Sequence, residues 1–239
     1  MTTCKNCNAE VNFNYCPACG KPSNLKRIDR HYIMHEIEHV LHLERGILYS
    51  VRELLVSPGR SVRHFITEDR SRLVKPVIFI IITSLVYSLL NHFFHIEDEY
   101  VEFNENQKTT TGLLFNWVQG HYGYANIIMG IFIAFWAKVF FRKYHYNLFE
   151  ILILLCFVMG MGMLFMAVFA VIEGVAHLNV MSIAGYLVVI YSSWAIGQFF
   201  DGKKAGNYMK AFASYILGML SFLLLIVAAG SLIDAVIRH

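Results

Sequence analysis

Five long runs of apolar residues occupy the chain from residue 76 onward, and polar or amphipathic sequence precedes them. Each run approaches the roughly 20 residues that a helix needs to cross a bilayer. The pattern therefore predicts an all-α integral membrane protein with about five transmembrane helices. The predicted spans are 76–94, 124–141, 148–172, 182–200 and 211–233.

The chain before the first span divides into a cysteine-bearing segment and a longer helical, basic segment. From Ile28 to about Leu55, apolar residues recur at helical spacing, and a row of histidines falls on the opposite side. We expect this juxtamembrane amphipathic helix to lie on a membrane surface or on the cytoplasmic face of the protein itself. The predicted domains are 1–24, 25–75 and 76–239.

Composition agrees with a membrane protein. Of the 239 residues, 56% are hydrophobic and 15% are charged, which is more apolar surface than a soluble core can bury. The first residues carry no apolar signal-peptide core, so we expect the N-terminal segment to stay in the cytosol.

Basic residues cluster before the first span and in the predicted turns 142–147 and 201–210, whereas the predicted loop 95–123 is acidic at its start. The positive-inside rule then places the N-terminus in the cytoplasm, the loop 95–123 in the periplasm and the C-terminus outside. The basic residues next to the first span are expected to contact anionic lipid headgroups. They are Arg60, Arg63, Arg70, Arg72 and Lys75.

Two CxxC motifs near the N-terminus predict a metal site. Cys4 and Cys7 form the first motif and Cys16 and Cys19 the second, and four thiolates at this spacing suit one tetrahedral zinc ion. Disulfides are disfavoured in a reducing cytosol, and a rubredoxin-like iron site is the alternative. Cys156 lies in the third predicted span and is not expected to bind the metal.

The predicted amphipathic helix contains an HExxH sequence, His35-Glu36-Ile37-Glu38-His39. In zinc metalloproteases the two histidines bind zinc and the glutamate activates water. Histidine-rich helices generate this sequence by chance, and here it lies well before the first span. We expect Glu36 not to be catalytic and the histidines to form a solvated polar face of the helix. A pH- or metal-responsive stripe is a further interpretation.

The order of these motifs carries a family resemblance. A CxxC…CPxCG ribbon, the run Gly46 to Gly59 and the stretch Arg70 to Pro76 together resemble the uncharacterised bacterial membrane family known as domain of unknown function 3667. The resemblance covers about residues 4–90. It implies a zinc-ribbon protein of the bacterial inner membrane, and it implies no established activity.

Three function classes stay open. The first is a membrane-embedded scaffold or accessory subunit, not an enzyme, whose cytoplasmic ribbon docks a homo-oligomeric copy or another membrane protein. The alternatives are a zinc metallohydrolase using His35 and His39 and a small channel or carrier for lipid or solute. Nucleic acid is a disfavoured partner, because no basic stripe with interleaved aromatics follows the ribbon. The spans carry few deep polar residues: Asn126, Cys156, Ser192 and Ser193.

Overall fold

The computed structural model of the chain describes residues 2–3, 10–11, 17–19, 46–94, 110–176 and 178–237. The chain divides into two compact units, Met1–Leu41 and His42–His239. In the first unit, strand β1 (Thr2–Thr3) pairs antiparallel with strand β2 (Glu10–Val11). The predicted zinc ligands Cys4, Cys7 and Cys16 and the predicted His35–His39 motif lie outside the described residues.

The described elements of the second unit are helical. Two short helices come first, five long helices follow, and one more short helix lies between the first two long ones. A single 3₁₀ turn, Arg142–Tyr144, precedes α6. The α-helices are α1 (Ile47–Val56), α2 (Pro58–Thr67), α3 (Pro76–Phe94), α4 (Thr110–Gly120), α5 (Tyr122–Phe140), α6 (Leu148–Ala176), α7 (Met181–Asp201) and α8 (Ala205–Ile237).

Five of these helices, α3 and α5 to α8, are long and apolar enough to cross a membrane. This confirms the prediction of five membrane-crossing helices and suggests a multi-pass membrane protein. Helices α6 and α8 contain 29 and 33 residues, so each is longer than the hydrocarbon core requires.

Helix α6 lies at the centre of the bundle and contacts α3, α5 and α7, while α8 packs on α5 and α7. Glycines mark several close helix contacts. A Cβ atom at Gly160 would lie 2.7 Å from the Phe79 ring of α3, and one at Gly218 would lie 2.6 Å from the Cα atom of Ile133 in α5. Both distances are shorter than a carbon–carbon contact allows, so larger side chains would separate these helices.

The segment between the ribbon and the first span differs from its prediction. The sequence predicted one amphipathic helix ending near Leu55, whereas the described part contains two helices that meet at Ser57. Pro58 opens α2 at the first helical position, where its missing N–H group costs nothing. One face of α2, including Val62 and Phe65, is buried against α6 and α7.

Candidate functional site

The α1–α2 hairpin, residues 47–67, approaches span α7 most closely at Gly59. A Cβ atom at Gly59 would lie 2.6 Å from the carbonyl carbon of Gln198 and 2.7 Å from the carbonyl oxygen of Ala195. These contacts are with backbone atoms that cannot rotate away, so only glycine permits this approach. The Ser-Pro-Gly sequence thus serves a helix-to-helix contact as well as a turn.

The first turn of α2 receives its hydrogen-bond acceptor from α7. The side-chain oxygen of Gln198 accepts the backbone N–H of Gly59 at 2.8 Å and that of Arg60 at 3.3 Å. The first N–H groups of a helix have no partner within it, and here a side chain from another helix supplies one.

Helix α2 donates hydrogen bonds to α7 in return. The Nη2 atom of Arg63 donates to the backbone carbonyl of Gln198 at 3.0 Å and also to that of Phe199. These carbonyls belong to the last turn of α7, where the partial negative charge of the helix favours a cation. Each helix therefore caps the open end of the other.

Helix α1 is fixed to the bundle by two buried hydrogen bonds. The hydroxyl group of Tyr191 in α7 donates to the carbonyl oxygen of Leu54 at 2.9 Å. The backbone N–H of Val74 donates to the hydroxyl of Ser50 at 3.0 Å, which ties the start of α3 to the middle of α1. We call the set Leu54, Gly59, Arg63, Tyr191 and Gln198 the hairpin junction.

A half-buried ion pair lies beside the hairpin junction. Arg72 donates to the carboxylate of Glu53 at 3.0 Å, with 32% and 26% of the two side chains exposed. The hydroxyl of Ser61 in α2 donates to the same carboxylate oxygen at 3.2 Å. The hydrogen bond to Glu53 raises the pKa of the Arg72 guanidinium above its ordinary value.

The five residues predicted to contact lipid headgroups fall into two groups. Arg63 and Arg72 are bonded within the protein, whereas Arg60, Arg70 and Lys75 are exposed. Contact with headgroups stays a prediction for the group, and the exposed three are the members that a headgroup could reach.

The predicted metal site stays a prediction. Of its four cysteines, Cys19 lies in the described turn 17–19 and is half-buried. Among residues 46–94, 110–176, 178–237 and the short described stretches before them, no group of three or more His, Cys, Asp or Glu side chains could hold a metal ion.

Sequence reasoning identified the buried polar residues Asn126, Ser192 and Ser193 but missed Glu173. Glu173 is 5% exposed, and its Oε2 atom accepts the backbone N–H groups of Val180 and Met181 at 2.8 and 2.9 Å. It therefore caps the start of α7 from the end of α6. An acidic residue shortly before a span is a recognisable signal for such a cap.

Together these features define an α-helical bundle with a short helical hairpin built into one end, and its five apolar helices suggest a multi-pass membrane protein. A model of the family described as "Protein of unknown function (DUF3667)" matches residues 44–88, and the match supports membership of this chain in that family. The matched residues comprise α1, α2 and most of α3, which includes the hairpin side of the junction. No curated protein and no solved structure matches the chain.

Proposed function

We propose that this protein is a membrane-embedded scaffold or accessory subunit whose N-terminal zinc ribbon docks a partner. The observation that carries the proposal is the reciprocal capping between Arg63 and Gln198. It bonds the hairpin to a span, and the hairpin, which begins at Ile47, follows the N-terminal segment in the chain. A partner bound by the N-terminal segment would therefore be tethered to the membrane bundle through the hairpin.

The polar groups of the bundle fit a static anchor better than a transport path. Several act in helix caps or in hydrogen bonds between helices, for example Gln198, Glu173 and Trp136, whose ring N–H donates to Ser221 at 3.0 Å. Proton-coupled carriers generally place ionisable groups inside the membrane along their path. The partner is a second copy of the chain or another membrane protein.

The test compares three forms of the full chain after chemical crosslinking in cells and purification. We expect about one zinc ion per chain, and a defined oligomer or stoichiometric complex, in the wild type. The double variant Cys4→Ser/Cys7→Ser should lose both the metal and the complex, while the matched control Cys156→Ser should keep both. A wild-type chain that is monomeric without a partner, and whose cellular role survives deletion of residues 1–24, would refute docking.

The proposed orientation puts the N-terminus in the cytoplasm and the C-terminus in the periplasm of a bacterial inner membrane. It rests on the basic turns at one end of the bundle. A cysteine introduced into the loop 95–109 should react with a membrane-impermeant reagent from the periplasm. Reaction from the cytoplasmic side alone would reverse the orientation.

The competing metallohydrolase depends on Glu36. The variant Glu36→Gln, which removes a general base and keeps the side-chain size, should leave every proteolytic event in the cell unchanged. Loss of a cleavage at normal protein abundance would favour the hydrolase instead.

A further inference from the structure

The first residue of α3 lies further along the bundle axis than the first residue of its parallel neighbour α6. The ring of Phe79 lies against Gly160, and the ring of Phe94 lies against Gly174. Both contacts give nearly the same offset between the two parallel helices, and this offset puts Pro76 beside residue 156. At 1.5 Å per residue, α3 therefore starts about 12 Å further along the bundle axis than α6 does.

The start of α6 and the end of α7 lie at the same height along the bundle axis. Gly162 packs against Val188, and counting back along the antiparallel pair sets Leu148 level with Asp201. The 21 residues of α7 make a helix about 31 Å long, which matches the hydrocarbon core of a bilayer. The turn before α6 and the turn after α7 both carry basic residues, so this level marks the edge of the hydrocarbon core. They are Arg142, Lys143, Lys203 and Lys204.

The hairpin fills the space below α3. The ring of Phe65 lies 5.4 Å from that of Phe157, and Leu54 is bonded to Tyr191. Phe157 and Tyr191 are nine and ten residues from the ends of their helices, which corresponds to depths of about 13–15 Å. On its outer side, α1 exposes 80% of Leu48 and 71% of Val56, and Arg52, which lies one turn from each on the same face, is also exposed. The hairpin thus reaches about half-way into the bilayer.

Lys75 lies at the same depth, because it directly precedes α3, and its side chain is exposed. The carboxylates nearest in sequence already have partners: Glu68 pairs with His64 at 2.7 Å, and Asp69 accepts from Ser71. From residue 57 to 75 the chain carries five basic and two acidic side chains. An ammonium group in hydrocarbon is costly, so it requires an anion or a path to the interface.

We propose that α1 and α2 form a re-entrant hairpin in one leaflet, and that Lys75, with Arg70 beside it in the same loop, binds the phosphate of an anionic phospholipid. The stem of Lys75 extends towards the interface, where its ammonium group meets the headgroup phosphate. An anionic phospholipid suits the site, because its phosphate supplies a negative charge next to Lys75 from within the membrane itself. This site stands on the depth of the hairpin and does not depend on docking by the ribbon.

Lipid binding is tested on the full chain in nanodiscs of phosphatidylglycerol and phosphatidylcholine. Native mass spectrometry counts the phosphatidylglycerol molecules retained after delipidation. We expect Lys75→Gln to lose one retained phosphatidylglycerol and Lys75→Arg to keep it. The matched control Lys203→Gln removes an exposed lysine at the edge of the core and should retain the wild-type number. Equal retention in Lys75→Gln and Lys203→Gln would overturn the site, as would displacement of the lipid by an equal concentration of inorganic phosphate.

The re-entrant position has its own test. A benzophenone amino acid at position 56 should form adducts with phospholipid on illumination, and one at position 203 should not. Absence of lipid adducts at position 56 in a chain of normal abundance would show that the hairpin lies in water. Either result leaves the ribbon experiment unaffected, so failure here and failure of docking are distinguishable.

Discussion

At both ends of the bundle, side chains from one helix cap the end of another, but the two ends differ in the direction of these caps. At the hairpin junction, Gln198 caps α2 and Arg63 caps α7, so two helices bond each other in both directions. At the opposite end the caps run one way: Glu173 accepts from the start of α7, and Asp234 of α8 accepts the N–H of Thr110 in α4 at 3.0 Å. A two-way exchange holds position and orientation together, whereas a single cap satisfies one helix end. We therefore expect the hairpin end to be the more sensitive to substitution.

The largest effect is expected at Gly59. The variant Gly59→Ala adds a Cβ atom where α7 backbone atoms already lie, so α2 must move away from α7 and the junction opens. We expect a loss of about 3 kcal/mol in the free energy of unfolding, measured in bicelles. The matched control is Gly206→Ala in the first turn of α8, where a Cβ atom would meet nothing within 4 Å. Equal stability of the two variants would contradict the close approach.

A smaller effect is expected at Gln198. The variant Gln198→Leu leaves the backbone N–H groups of Gly59 and Arg60 without their acceptor, which should cost about 2 kcal/mol of unfolding free energy. Gln198→Glu keeps an acceptor at the same place, and a carboxylate suits a helix start, so most of the stability should return. If the leucine and glutamate variants are equally stable, the cap has no energetic role.

A substitution at the opposite end of the bundle should lower the free energy of unfolding by a smaller amount. Glu173→Ala removes the acceptor for Val180 and Met181, and it also removes a buried carboxylate oxygen that has no hydrogen-bond partner among the described residues. Because the second change offsets part of the first, we expect a loss of about 1 kcal/mol. Hydrogen exchange at these two amides should accelerate in the alanine variant and stay slow in Glu173→Gln. Unchanged exchange in the alanine variant would rule out the cap.

The smallest effect is expected at Lys204, whose ammonium group lies 2.8 Å from Asp201 on the surface. The hydrogen bond to Asp201 raises the pKa of Lys204 above its ordinary value. Any stability from this pair is present below the ordinary lysine pKa, near 10.4, and is lost as the pH rises through the higher folded-state pKa. An exposed pair contributes little even where it is fully formed, so Lys204→Gln should match the wild type in thermal midpoint from pH 6 to 9. A clear drop would mean that this end holds a network larger than one exposed pair.

The sequence predicted the spans well because membrane crossing depends on a local property, the length of an apolar run. The first predicted span, 76–94, coincides with α3, and the third predicted span, 148–172, makes up most of α6. These features need no knowledge of distant residues.

The hairpin was predicted less well for a physical reason. Helix α2 contains ten residues, too few to be stable alone in water, and its sequence opens with a turn signal. Its stability comes from Phe65 packing on Phe157 and from the side chain of Gln198, about 140 residues away in the chain. No local pattern reveals such partners.

By itself, the sequence determined that this chain has five apolar helices, that its basic residues gather at one end and that its N-terminal cysteines have metal-ligand spacing. Only the tertiary structure decided that α3 starts about 12 Å above its neighbour and that the hairpin occupies the space below it. Apolar runs fix which segments enter the membrane, because transfer from water depends on composition. The relative depth of those segments depends on which side chains interlock, as Phe79 does with Gly160, and that follows from packing between residues far apart in the chain.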